Sequence, residues 1–83
     1  MDETEMFQIR EVYKVLQHRM QFDRGLTQKE SIEMFGAYRL SGIIFVLRKR
    51  LENTPYNIIS VWHTGTNRYG KKSRYVEYKL VRV

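Results

Sequence analysis

Residues 27–51 read TQKESIEMFGAYRLSGIIFVLRKRL, and the residue types in this stretch decide the fold. Thr27 followed three positions later by Glu30 fits a capping box. The Thr27 hydroxyl accepts from the amide three residues on, and the Glu30 carboxylate accepts from the Thr27 amide. The spacing predicts a short helix over 28–35, with Ile32 and Phe35 inward and Lys29 and Glu33 outward, ended by Gly36. A further helix is predicted over 38–51, because Leu40, Ile43, Ile44, Leu47 and Leu51 recur at helical spacing along one face. Its opposite face carries Tyr38, Ser41, Gly42, Phe45 and Lys49, with Arg39 and Arg48 on the flanks. Asn53-Thr54-Pro55 stops it, since the residue before a proline avoids the helical region.

Upstream, Met6, Ile9, Val12, Tyr13, Leu16 and Met20 form one apolar stripe, which predicts a helix over 4–22 capped by Asp2 or Thr4. Phe7 and Phe22 fit the stripe less well and either extend it or reach a partner. Asp23–Leu26 reads as a turn in which Gly25 is the expected positive-φ residue. Downstream, 57–64 is β-branched and aromatic, and 75–83 alternates with Val76, Tyr78 and Leu80 on one side. The two form a hairpin across a basic loop over 65–74, expected to be mobile without a partner. Two helices joined by a short turn, with a hairpin after them, give an α+β winged helix-turn-helix: three helices plus a C-terminal β-hairpin wing. The expected core is Leu16, Met20, Ile32, Phe35, Leu40, Ile44 and Leu47, closed by Ile59, Val61, Tyr78 and Leu80 of the sheet.

The chain has 83 residues, enough for one domain over 1–83, and a domain so short buries only ~60–65% of its unfolded surface. Zero cysteines exclude a disulfide scaffold and a thiolate metal site. His18 and His63 stand alone, outside any metal-ligand spacing, so neither metal nor cofactor is expected. Nucleophile–base pairs, paired carboxylates and phosphate-cradling glycine loops are likewise missing, so the chain is not read as an enzyme. The longest apolar run, Gly42–Leu47, is far short of a membrane span, and the acidic start is wrong for a signal peptide. An intracellular protein is the expectation.

Charge is unevenly placed. Lys+Arg 15 against Asp+Glu 9 gives +6. Residues 1–38 hold five basic and seven acidic residues, a net of −2, whereas residues 39–83 hold ten and two, a net of +8. A positive half of this kind is the footprint of a polyanion ligand, and it also suits acidic protein surfaces.

The stretch Thr27-Gln28-Lys29-Glu30, then Phe35-Gly36-Ala37-Tyr38-Arg39-Leu40-Ser41, then Leu47-Arg48-Lys49, resembles small winged helix-turn-helix proteins of bacteriophages and prophages. Asn67-Arg68-Tyr69-Gly70-Lys71-Lys72-Ser73-Arg74-Tyr75 matches their hairpin segment closely, and the resemblance covers roughly residues 26–80. Ser31 and Gly42 stand where that pattern usually has alanine. The resemblance implies a DNA-binding fold in the cytoplasm of a bacterial host.

On this reading Arg39, Ser41, Arg48 and Lys49 of the third helix face double-stranded DNA, with Arg39 reaching a base edge or a phosphate. The alternative for Arg39 is a local carboxylate such as Glu33. Arg68, Lys71, Lys72 and Arg74 on the hairpin neutralise phosphates or enter the minor groove. Phe45 and Val46 are expected to pack under the hairpin. Otherwise, with Tyr38, they touch thymine methyls or form a protein interface. Tyr69 and Tyr75 are candidates for stacking on bases, and Trp62 is expected in the sheet core or a dimer seam. Met6, Ile9 and Tyr13 either make a two-fold homodimer seam or cover the back of the sheet. The expected function is transcriptional regulation through DNA. The alternative is an anti-defence protein, such as an inhibitor of a CRISPR effector, that binds a host protein or ribonucleoprotein. A third is an architectural factor that bends DNA.

Overall fold

A computed structural model describes residues 2–83. The chain runs α1 (Glu3–Met20), β1 (Leu26–Thr27), α2 (Gln28–Phe35), α3 (Leu40–Arg50), β2 (Tyr56–Thr66) and β3 (Lys72–Arg82). Three helices and a three-stranded antiparallel sheet of order β1-β3-β2 make an α+β arrangement compatible with a winged helix. None of the described helices is long and apolar enough to cross a membrane.

Local chemistry sets the boundaries. Asp2 caps α1, its Oδ1 accepting from the Glu5 amide at 2.8 Å. Glu3 and Glu5 lie at the positive end of the helix dipole. The capping box of α2 is complete, with Thr27 Oγ1 accepting from the Glu30 amide and Glu30 Oε1 from the Thr27 amide, both at 3.3 Å. Gly36 ends α2 at φ 64, a left-handed position that disfavours any side chain. Met20 ends α1 earlier than the periodicity predicted, which leaves Phe22 outside the helix and exposed.

The turn after α1 departs from expectation. The left-handed residue is Asp23 (φ 55), not Gly25. Gly25 is required for a different reason: a Cβ there would sit 2.0 Å from the Tyr78 carbonyl oxygen. The chain therefore passes against β3, and the next two residues, read from sequence as turn and helix cap, pair with it as Leu26↔Tyr78 and Thr27↔Glu77. Leu26 is fully buried.

The core is Ile9, Val12 and Leu16 of α1, Leu26, Ala37, the stripe Leu40, Ile43, Ile44, Leu47 and Leu51, and Ile58 with Leu80. Met20, Phe35 and Tyr78 pack against it half-buried. Ile58 is 1% exposed and Ile59 40%, which reverses the expected order. Adjacent isoleucines point to opposite faces of a strand, and Ile58 is the one opposite Leu80. Ser31 is buried in α2, its Oγ donating to the Ala37 carbonyl at 3.1 Å.

β2 and β3 pair over their full length, from Tyr56↔Arg82 to Thr66↔Lys72. The loop is therefore five residues, Asn67–Lys71, rather than ten. Asn67 organises it: its Oδ1 accepts from the Tyr69 and Lys71 amides at 2.9 and 3.0 Å, and its own amide donates to the Lys71 carbonyl. Eleven strand residues extend roughly 36 Å, so the hairpin projects well beyond the helices, and the molecule's longest dimension is 42 Å.

Candidate nucleic-acid interface

Alternation along the paired strands gives the hairpin two distinct faces. Ile58, Ser60, Trp62, Thr64 and Thr66 share one with Leu80, Tyr78, Val76, Arg74 and Lys72. Arg48 identifies this face as the one turned to α3. Its Nε donates to the Ile58 carbonyl at 2.9 Å, its Nη2 to Ser60 Oγ at 3.0 Å, and its guanidinium lies 5.9 Å from the centroid of the Tyr78 ring. Arg48, expected as a DNA contact, is thus a strut between α3 and the hairpin. On α3, Ser41 and Phe45 precede it by seven and three residues, so they lie on the same side of the helix. Arg48 thus joins two surfaces at a corner, one carrying Ser41 and Phe45 of α3 and the other Trp62, Arg74 and Lys72 of the hairpin.

Within this corner, Lys49 Nζ lies 5.1 Å from the Phe45 ring centroid, and the Arg74 guanidinium 5.3 Å from that of Trp62. At the tip, Arg68 covers Tyr69 at 5.1 Å. Phe45 is 61% exposed and Trp62 62%, so neither the expected packing of Phe45 under the hairpin nor a place for Trp62 in the sheet core holds. Tyr38 is 73% exposed. Val46 is half-buried but faces α1 instead of the hairpin. It lines a groove of about 320 Å³ with Glu5, Gln8, Ile9 and Arg39.

Arg39 precedes α3 as its N-cap and makes no ion pair among the described residues, with Glu33 or any other carboxylate. Lys49, Arg68, Lys71, Lys72 and Arg74 are equally free of carboxylate partners among the described residues. In the body Arg19 pairs with Glu30 at 2.7 Å and Lys79 with Asp23 at 3.3 Å, whereas Arg10, Arg24 and Lys29 have no carboxylate partner among the described residues. Lys72 and Arg74, read from sequence as loop residues, are strand residues whose direction is fixed by the register.

The opposite face of the hairpin is chemically different. Glu77 accepts from the Gly25 amide at 2.9 Å through one oxygen and contacts His63 Nε2 at 3.0 Å through the other. Burial pushes the Glu77 carboxyl up, but the Gly25 amide, the His63 ring and the nearby Lys79 outweigh it and hold it below the ordinary glutamate value. Tyr75 stacks on His63 with centroids 5.2 Å apart. Its ring is therefore engaged on the face away from α3, whereas Tyr69, covered by Arg68, is exposed at the tip.

The expected α1 seam is largely spent. Ile9 is buried in the chain's own core and Tyr13 is half-buried against it; both line the contact with α3 instead of covering the back of the sheet. Met6 and Phe7 remain exposed. A groove of about 480 Å³ runs between the helices, lined by Met6, Arg10, Tyr13, Arg50 and Leu51 among others. Among the described residues no group of His, Asp or Glu could hold a metal ion. Trp62, expected in the sheet core or a dimer seam, is exposed on the hairpin face turned to α3. A tryptophan sharing a strand face with Ser60 rather than with the second isoleucine was the available signal.

Comparison of the chain with protein-family models, with curated proteins and with solved structures finds no match.

Proposed function

We propose that this chain is a winged helix-turn-helix protein of the bacteriophage kind, which binds double-stranded DNA and regulates transcription in the cytoplasm of a bacterial host. The supporting observation is the set of exposed cations without carboxylate partners on the α3 and hairpin segments, Arg39, Lys49, Arg68, Lys71, Lys72 and Arg74, in a chain whose other half is net negative. Residues 39–83 hold ten cations against two carboxylates, so little in that half neutralises the set, and a phosphate backbone supplies the complement. The wing tip captures the duplex electrostatically, and Arg39, Ser41 and Lys49 address the groove.

The test is binding to random duplex DNA across a salt series. Neutralising about six phosphates gives a slope of log K on log salt near −5. Lys71→Ala should weaken all sequences alike and shallow the slope by ~1, whereas Arg39→Ala should relax sequence preference. Equal effects of both on every sequence would refute that division of labour. Absence of binding at low salt would overturn the reading itself.

The exposure of Phe45 and Tyr38 favours a second reading, an anti-defence protein that uses the same surface against a host protein or ribonucleoprotein. A salt-insensitive, negligible affinity for DNA is the result that would move the assignment there.

A further inference from the structure

We propose that the corner between α3 and the hairpin receives an unstacked nucleobase, so that the protein prefers locally opened duplex DNA to fully paired duplex. The inference rests on the DNA-binding reading above and specifies the form of DNA that site takes.

It starts from Trp62. The strand face that carries it ends at its base in the buried pair Ile58 and Leu80. Four residues further along, the same face presents the largest apolar side chain in the protein to solvent. The core makes no use of it there, and an exposed indole held on a paired strand is a preformed stacking platform. Arg74 covers one side of the ring, and one cation covers only one face. Lys72 follows Arg74 on the same strand face toward the tip. Across the corner, Phe45 repeats the arrangement with Lys49 over its ring. Aromatic rings interleaved with cations bind nucleobases by stacking while the charges hold the flanking phosphates.

The wall that α3 contributes points the same way. Between Arg39 and Lys49, its outward positions are Ser41, Gly42 and Phe45. Reading paired bases in a major groove calls for arginine, lysine, asparagine or glutamine aimed at base edges. This stretch offers one hydroxyl and a phenyl ring. It is poorly equipped for edge readout at its centre and well equipped to pack against a base face. Tyr75 is not an equivalent platform, because its ring already stacks on His63 on the other side of the sheet.

Trp62 is the only tryptophan, so its emission reports this site alone. Affinity and emission should be measured with a fully paired duplex and with the same duplex carrying a short run of mispaired thymines. The mispaired duplex should bind about ten-fold tighter and quench Trp62. Trp62→Ala should abolish that preference, bringing the ratio of the two affinities to about one whatever the variant's overall affinity, and Trp62→Phe should retain most of it. An unchanged melting temperature for Trp62→Ala establishes that the exposed substitution leaves the fold intact. Equal affinity for both duplexes with unquenched Trp62 would overturn the inference, while a steep salt dependence on the paired duplex would still uphold DNA binding. Preference for the mispaired duplex that survives Trp62→Ala would also overturn it. Failure to bind either duplex at low salt would overturn both readings and leave a protein partner.

Discussion

Gly42→Ala isolates a conflict between stability and contact. Gly42 is the third residue of α3, on its exposed side, and a Cβ built there meets nothing within 4 Å. Its φ is not in the left-handed region, so alanine fits without strain. The change removes backbone freedom from the unfolded chain and adds no clash and little burial. The gain should be about 0.5–1 kcal/mol, the lower part of the range applying because the position lies in the first turn. An 83-residue chain unfolds with an entropy of roughly 0.17 kcal/mol per kelvin. The melting temperature should therefore rise by about 3–4 °C, read by far-UV circular dichroism. A fall, or a change within about one degree, would refute the reasoning and mean that the backbone at Gly42 is held in a way its open surroundings do not explain. The same variant has a second readout. Gly42 lines the groove between α1 and α3 beside Val46 and Arg39, so a partner that approaches the helix backbone there should bind the alanine form less tightly although its fold is more stable.

Three further outcomes follow from the fold. Ile58→Ala should destabilise by about 2–5 kcal/mol and Ile59→Ala by less than about 1 kcal/mol in urea unfolding; comparable losses would contradict the strand register. Gly25→Ala should cost about 2–3 kcal/mol, because the new methyl meets the Tyr78 carbonyl and forces β1 from β3; a melting temperature equal to the parent's would mean the contact yields freely. Glu77 has its folded pKa below the ordinary value of 4.5, so its contribution is full above that value and is lost as pH falls through the folded pKa. Glu77→Gln should accordingly lower the urea midpoint at neutral pH and converge on the parent in acid; parallel curves across the whole range would exclude the carboxylate as the source.

The helices were legible because their signals are local. The capping box names the start of α2 by two side chains, and the stripe from Leu40 to Leu51 returns as one buried face. β1 was not legible, since two residues have no periodicity; what makes Leu26 and Thr27 a strand is the arrival of Tyr78 and Glu77 from 52 and 50 positions away. Ile58 and Ile59 illustrate a related blindness. Alternation with Val61 pointed to Ile59, but the face is chosen by the partner strand and by α3. At the candidate site, composition located the cations and misjudged their setting. Arg48 is bound to the sheet, Lys72 and Arg74 are on a strand, and Phe45 is open, each decided by contacts between segments distant in sequence.

Arg48 and the two-residue strand β1 also have a thermodynamic consequence. The first ties α3 to β2, and the second ties the start of α2 to β3. With both in place, the helix and the hairpin hold a fixed angle before any ligand arrives. A rigid ligand that meets both walls then finds their spacing already set, and little orientational freedom is surrendered on association. Selectivity here becomes a matter of gauge: the corner accepts what fits its width, and tethers that touch no ligand decide that width.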